Sequence, residues 1–192
     1  SNIISRLKTI GIEIKETDPK IKKLLEEVKD REFIGYSYDG ADASFELLAR
    51  RIIGEIPRYI LIKEYDVSVK KNSSGKIISL AKAQLEVDGE KIICKGEGNG
   101  PVNALDNAIR QNVDRLSKYS EYLKDLKLVD YKVRILDTGT EAVTRVSIES
   151  TDSKGKNWFT IGVSANIIDA SFKALVDSLD YKLFKDKAPA SL

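Results

Sequence analysis

The chain has 192 residues, 42% hydrophobic and 32% charged, enough apolar material for one large domain or for one domain with a smaller appendage. Its 32 Lys and Arg against 30 Asp and Glu leave a net charge of +2 with no dense basic run, which argues against nucleic acid, and no apolar run approaches the roughly 18 residues that span a bilayer. Histidine is absent, so Ser-His and Cys-His nucleophile pairs and imidazole metal sites are excluded.

The chain contains no Met and opens directly on a patterned stretch, Ser1-Asn2-Ile3-Ile4-Ser5, which fits a piece of a longer protein, although initiator Met removal before Ser leaves the same start. The first third reads as helical and linker-like. Asp18-Pro19 joins a cap to a proline suited to the first helical position, and Ile21, Leu24, Leu25 and Val28 follow at the spacing of one buried stripe. A second helix is expected from near Asp39, carrying Phe45, Leu48 and Ile52 and stopping at Gly54 before Pro57. Its Glu46, Arg50 and Arg51 read as a solvated face, with contact to a neighbouring domain as the alternative.

From Tyr59 the pattern changes from helical to alternating. Tyr65, Val67 and Val69 alternate with polar residues, Asn72-Ser73-Ser74-Gly75 makes a turn, and Ala81, Ala83, Leu85 and Val87 form the returning strand. Asp88-Gly89 is the strongest short hairpin signal and leads into Lys91-Ile92-Ile93-Cys94 as a third strand. Cys94, the only cysteine, cannot form an internal disulfide and reads as a buried packing thiol in a cytoplasmic protein. After Pro101 a helix is expected with Val102, Leu105, Ile109, Val113 and Leu116 on one stripe. The unit is β-β-β-α.

The plan then repeats. Tyr131 to Leu136 reads as a strand, Thr138-Gly139-Thr140 as a turn and Ala142 to Ile148 as the return; Ser153-Lys154-Gly155-Lys156 leads to Trp158 to Val163, and a helix with Ile168, Phe172, Leu175 and Leu179 closes the unit. Tyr65, Val67 and Val69 fall on Tyr131, Val133 and Ile135 at a constant offset, and Ala108-Ile109 falls on Ala174-Leu175. Two copies of one unit predict a shared core, a pseudo-twofold axis and leftover edges that favour dimerisation. The fold class expected is α+β, with a helical linker subdomain at 1–57, two repeats (about 58–118 and 127–182) in a two-layer domain at 58–186, and a tail at 187–192.

Two places invite a ligand. Gly98-Asn99-Gly100-Pro101 puts glycines before a helix start, where backbone N–H groups can face a carboxylate or phosphate; the alternative is an ordinary strand-to-helix turn. The turn lacks the Lys-Ser/Thr pair of a P-loop and the full dinucleotide-binding fingerprint. In the second repeat Tyr131, Val133 and Ile135 share a face opposite the small Ala142 and Thr144, which leaves a hollow about the size of an aliphatic side chain unless a helix fills it.

Gly98 to Ala108 (GNGPVNALDNA), Asp130 to Arg134 (DYKVR), Gly139-Thr140, Arg145-Val146, and Trp158-x-Thr-x-Gly-Val-Ser-x-Asn-Ile-Ile-x-Ala-Ser171 together resemble the C-terminal regulatory domain of the 2-isopropylmalate synthase and citramalate synthase family. Gly35-Tyr36 and Gly40-Ala41-Asp42-Ala43-Ser44-Phe45-Glu46-Leu47-Leu48, with the opening Ser1-Asn2-Ile3, are similar to the linker of the citramalate synthase branch, Asp42 standing where glutamate is expected.

The resemblance implies a parent enzyme that condenses acetyl-CoA with pyruvate on a metal-dependent (β/α)₈ barrel, none of which this chain carries. It implies a non-catalytic, dimerising domain that binds an end-product amino acid as feedback inhibitor, isoleucine in the citramalate branch or leucine in the other; an assembly module without effector binding is the alternative. Carried over by position, the effector contacts are Asn99 and Gly100 in the turn, with Leu128, Tyr131, Ile135, Ala142 and Thr144 around the side chain.

Overall fold

In the computed structural model, residues 2–54, 56–137, 139 and 141–192 are described. Ser1, and Thr138 and Thr140 of the expected turn, lie outside them; Gly139, at φ +99°, donates its N–H to Asp137 Oδ1 at 3.0 Å. Three helices come first: α1 (Asn2–Thr9), α2 (Pro19–Phe33) and α3 (Asp42–Ile53). Then follow β1 (Leu61–Lys71), β2 (Ile77–Val87), β3 (Glu90–Gly98), α4 (Pro101–Arg110), two single-turn 3₁₀ segments, α5 (Ser120–Leu123), β4 (Lys127–Asp137), β5 (Ala142–Thr151), β6 (Asn157–Ser164) and α6 (Ile167–Lys185). The architecture is α+β, with the β-β-β-α unit present twice. Among the described residues no helix is long and apolar enough to cross a membrane.

The strands form two antiparallel sheets, ordered β1-β2-β3 and β4-β5-β6. Tyr65 pairs with Ala83 and Val67 with Ala81, just as Tyr131 pairs with Ile148 and Val133 with Val146. Asp88 and Gly89 both take positive φ (51° and 79°), the backbone that a two-residue hairpin requires. Helix α4 lies on β2 and β3, α6 on β5 and β6, and the two helices touch. Ala83, Leu85, Cys94, Leu105 and Ala108 from one unit, and Val146, Ile148, Trp158, Ala174 and Leu175 from the other, therefore belong to one core.

Each helix seats against a glycine of its own third strand. A Cβ on Gly96 would stand 2.3 Å from Ala108 N, and one on Gly162 would stand 2.1 Å from Ala170 O. Gly98 is equally crowded, 2.4 Å from Asn103 Oδ1, whereas Gly100 has open space and an extended φ of −162°. Close approach rather than positive φ is thus what the Gly98 end of the turn uses.

Two expectations need correction. The stripe from Val102 to Leu116 is not one helix, because α4 ends at Arg110. There the Asn112 side chain donates to Ala108 O (2.7 Å) and Lys95 O (2.9 Å), and Ser117 sits at φ +56°, so the chain turns while Leu116 still reaches the core. Nor are Glu46, Arg50 and Arg51 simply solvated. Arg50 bonds Glu46 and Ile10 O and lies over the Phe184 ring at 4.9 Å, and Arg51 reaches α6.

The linker packs as a second cluster, with Leu7, Leu24, Phe45 and Leu48 gathered around Ile161 of β6. It covers the open edge of the second sheet, where the Ile161 N–H donates to Ser44 Oγ at 2.9 Å. The open edge of β3 is met by side chains instead: Asn107, Asn112 and Arg115 donate to Glu97 O, Lys95 O and Ile93 O. Lys182, 1% exposed, ties loops together by bonding Asp152 (2.9 Å), Asp125 (3.2 Å) and Asp186. Burial disfavours its charge, but those three carboxylates outweigh that and hold its pKa above the ordinary lysine value. Residues 187–192 are bound to the first repeat through Tyr119 to Pro189 O, Lys118 to Ala190 O and Ser191 to Arg58 O.

Gly162→Ala should lower the unfolding free energy by about 2–3 kcal/mol or more, since α6 must lift off β6, while Gly100→Ala should change it by less than about 1 kcal/mol. Urea denaturation of both variants checks the contrast.

Candidate functional site

The seven predicted effector contacts fall into two groups. Tyr131, Ile135, Ala142 and Thr144 share one face of the β4-β5 hairpin, where Ile135 pairs with Thr144 and Asp137 with Ala142. Helix α6 buries their neighbours Val146 and Ile148 but stops short of β4, leaving Tyr131 41%, Val133 39% and Ile135 79% exposed. The expected hollow is therefore not filled by a helix of its own chain. A shallow recess of about 270 Å³ opens at Tyr131, lined also by Ile148, Lys132 and Phe159. Leu128 lines a tight space of about 20 Å³ under Ile109 and Leu175, too small for an amino acid.

Asn99 and Gly100 form the second group, at the start of α4. The sheet register puts Gly98 opposite Ser79, which pairs with Val69. Gly100 is the N-cap of α4 and offers no side-chain hydrogen bond, so the first-turn N–H groups have no cap from it. At the matching place in α6, Asn166 Oδ1 accepts from Ile168 N–H (2.8 Å) and Asp169 N–H (3.2 Å). One helix start is closed by a side chain and the other is not.

The two tyrosines differ in the same way. Tyr65 stacks on Phe172 of α6 with ring centroids 4.1 Å apart, and its hydroxyl donates to Asp169 at 2.7 Å. The position of Phe172 in α6 corresponds to Asp106 in α4, which is buried and held by Arg110 at 2.8 Å. Burial raises the Asp106 pKa against the pull of Arg110. Without an aromatic residue at that place, Tyr131 keeps an open face.

The sequence did not point to a second feature, the junction of linker and repeats. Arg51 donates to Asp177 (3.2 Å) and Asp180 (2.9 Å) on α6, and Ser44 Oγ donates to Asp177 at 2.8 Å. A cleft of about 840 Å³ lies beside it, with Arg31, Tyr36, Ile62, Tyr65 and Phe172 among its walls. The only available signal was the helical spacing of Ser44 with Arg51 and of Asp177 with Asp180, which ordinary surface helices share. Among the described residues no group of three or more Cys, Asp or Glu side chains is placed to hold a metal ion.

Residues 39–183 match the family described as the LeuA allosteric (dimerisation) domain. The chain belongs to that family. Over 190 residues it is 44% identical to an (R)-citramalate synthase of Aquifex aeolicus, and 42% identical to one of Geobacter sulfurreducens, covering 97% of this chain and 35% of each relative. A probable 2-isopropylmalate synthase of Methanopyrus kandleri is 26% identical over 175 residues, covering 91% of this chain and 33% of its own length. The chain thus spans about a third of the length of these relatives. The similarity reaches past the family match into the linker helices, which places this LeuA allosteric domain with its linker in the citramalate synthase and 2-isopropylmalate synthase group.

Within this LeuA allosteric domain the two tyrosines should respond differently to truncation. Tyr65→Ala removes a stacked ring and the donor to Asp169, and should cost about 2–4 kcal/mol. Tyr131→Ala should cost less than about 1 kcal/mol. Denaturation at high dilution, where any self-association is suppressed, reads both.

Proposed function

We propose that this chain is the regulatory part of a citramalate synthase, that it binds isoleucine as the end product of the pathway, and that this binding inhibits the enzyme by feedback. The observation that carries the reading is the divergence of the two repeats. In the first, Tyr65 is occupied by Phe172 and Asp169 and the matching helix start is capped. In the second, Tyr131, Val133 and Ile135 stay open. Leu128 lies by Ile109 and Arg110, as Ile62 lies by Phe172 and Val176, so β4 crosses α4 as β1 crosses α6. That course leads Tyr131 and Ile135 toward the uncapped first turn of α4.

An amino acid suits this combination. Its carboxylate would meet N–H groups near Gly100 with the favourable end of the helix dipole, its ammonium would meet Asn99 or backbone carbonyls, and its aliphatic chain would lie among Tyr131, Ile135, Ala142, Thr144 and Leu128. The exposed apolar strip of β4 would be closed by a second copy of the chain, in keeping with the family's dimerisation role. The catalytic barrel, its divalent metal and its use of acetyl-CoA and pyruvate would belong to the two thirds of the relatives that this chain does not span. The lone buried thiol, Cys94, favours the cytoplasm as the place of action. Effector binding must favour an inactive arrangement by about 1–3 kcal/mol to regulate usefully.

Isothermal titration of the chain with isoleucine and with leucine tests this. Isoleucine should give saturable heat and a thermal shift. Leucine should bind more weakly, by no more than roughly 10- to 200-fold because the two differ only in where one methyl sits. The reverse order would make leucine the effector. No heat and no shift with either would sink the effector site and leave an assembly module.

A further inference from the structure

Helix α6 does more than close the second repeat, because it also grips the linker. Four polar links run in series: the Ile161 N–H of β6 donates to Ser44 Oγ (2.9 Å), Ser44 Oγ donates to Asp177 Oδ2 (2.8 Å), and Arg51 Nη1 and Nη2 donate to Asp177 Oδ1 (3.2 Å) and Asp180 Oδ2 (2.9 Å). Ser44 and Arg51 belong to α3, Asp177 and Asp180 to α6, and Ile161 to the strand beneath. Two carboxylates one helical turn apart share one guanidinium, an excess of negative charge in a shielded junction. The same helix begins at Asn166, just past Ser164, which pairs with Thr144. One rigid element thus joins the candidate effector hairpin to the linker.

We propose that the Ile161–Ser44–Asp177–Arg51–Asp180 chain is the joint through which the second repeat sets the packing of linker helix α3, and that the joint loosens when its carboxylates are all ionised. Only the direction of the signal, from effector to linker, rests on the effector reading; the joint needs no ligand.

The groups facing the two carboxylates are Arg51 from α3, Arg31 from α2, Tyr38 from the segment between those helices, and Tyr59 and Tyr119 from the first repeat. Burial pushes Asp180 up to about 7, with Arg51 pulling down and the Asp177 charge adding to the rise. Burial raises Asp177 as well, against Arg51 and Ser44. A carboxyl raised in the docked state keeps its proton at pH values where the undocked side chain has lost it. Docking is therefore firmest below the ordinary value of 3.8, weakens as pH climbs toward about 7, and is flat above that.

Hydrogen exchange of the whole chain, corrected for intrinsic rates, reads the joint. Opening of the α3 amides, measured against those of α4, should increase about tenfold or more between roughly pH 5 and pH 7.5. Asp180→Asn, which keeps the shape and removes the titration, should flatten that profile, and Ser44→Ala should raise α3 opening throughout. A wild-type α3 profile no steeper than that of α4, or an Asp180→Asn profile as steep as the wild type, overturns the joint. The coupling is read by adding isoleucine. In the wild type the ligand should change α3 exchange; in Ser44→Ala it should still bind, by calorimetry, yet leave α3 unchanged. If isoleucine binds the wild type and α3 does not respond, the joint carries no signal. If no amino acid binds, the effector reading fails while the pH profiles still decide whether the joint exists.

Discussion

Both repeats depend on a strand position without a Cβ. Gly96 and Gly162 let a helix backbone approach to where a methyl group would overlap it, and nearly everything else in the domain follows from that contact. A helix seated so low cannot also reach the first strand of its own sheet. It covers the second and third strands and leaves the first as an overhang. The overhang then has one structural use, which is to lie across the helix of the other repeat. The two copies interlock because neither can complete its own cover, and their helices meet in one core.

From that shared geometry the copies have taken different courses. Residue 172 is a phenylalanine and the matching residue 106 is an aspartate, so the first overhang has an aromatic seat and the second has none. Asn166 caps one helix and Gly100 stands at the other. Each difference costs the second half some stability and gives it reactive surface, open apolar side chains beside N–H groups not capped by a side chain. A duplicated unit suits this division, since one copy can hold the fold while the other is freed for binding.

Much of this was legible in the sequence. Alternation located the strands, Asp88-Gly89 fixed a hairpin, and the offset repeat implied the shared core, because these signals are local or periodic. Boundaries were less legible: the stripe through Val113 and Leu116 is apolar at helical spacing, yet Asn112 diverts the chain by bonding the carbonyls a helix would have used. The seven candidate residues were found from pattern and resemblance, and the structure shows the hairpin four on one face and the turn on the other sheet. The joint at Arg51 and Asp177 was not legible. Its members lie 126 positions apart, and a charge on a helix surface gives no local sign that a partner will meet it after folding.

The way the linker meets β6 bears on what counts as the unit. Similarity to the family begins at residue 39, inside the segment before α3. The cluster around Phe45 and Ile161, however, is completed by Leu7 of α1 and Leu24 of α2, and Arg6 lies over the Phe45 ring at 4.0 Å. A fragment cut where the homology starts would bare that cluster on one side. Ancestry and folding therefore draw their borders in different places here: the inherited module is shorter than the piece of chain that can stand in water.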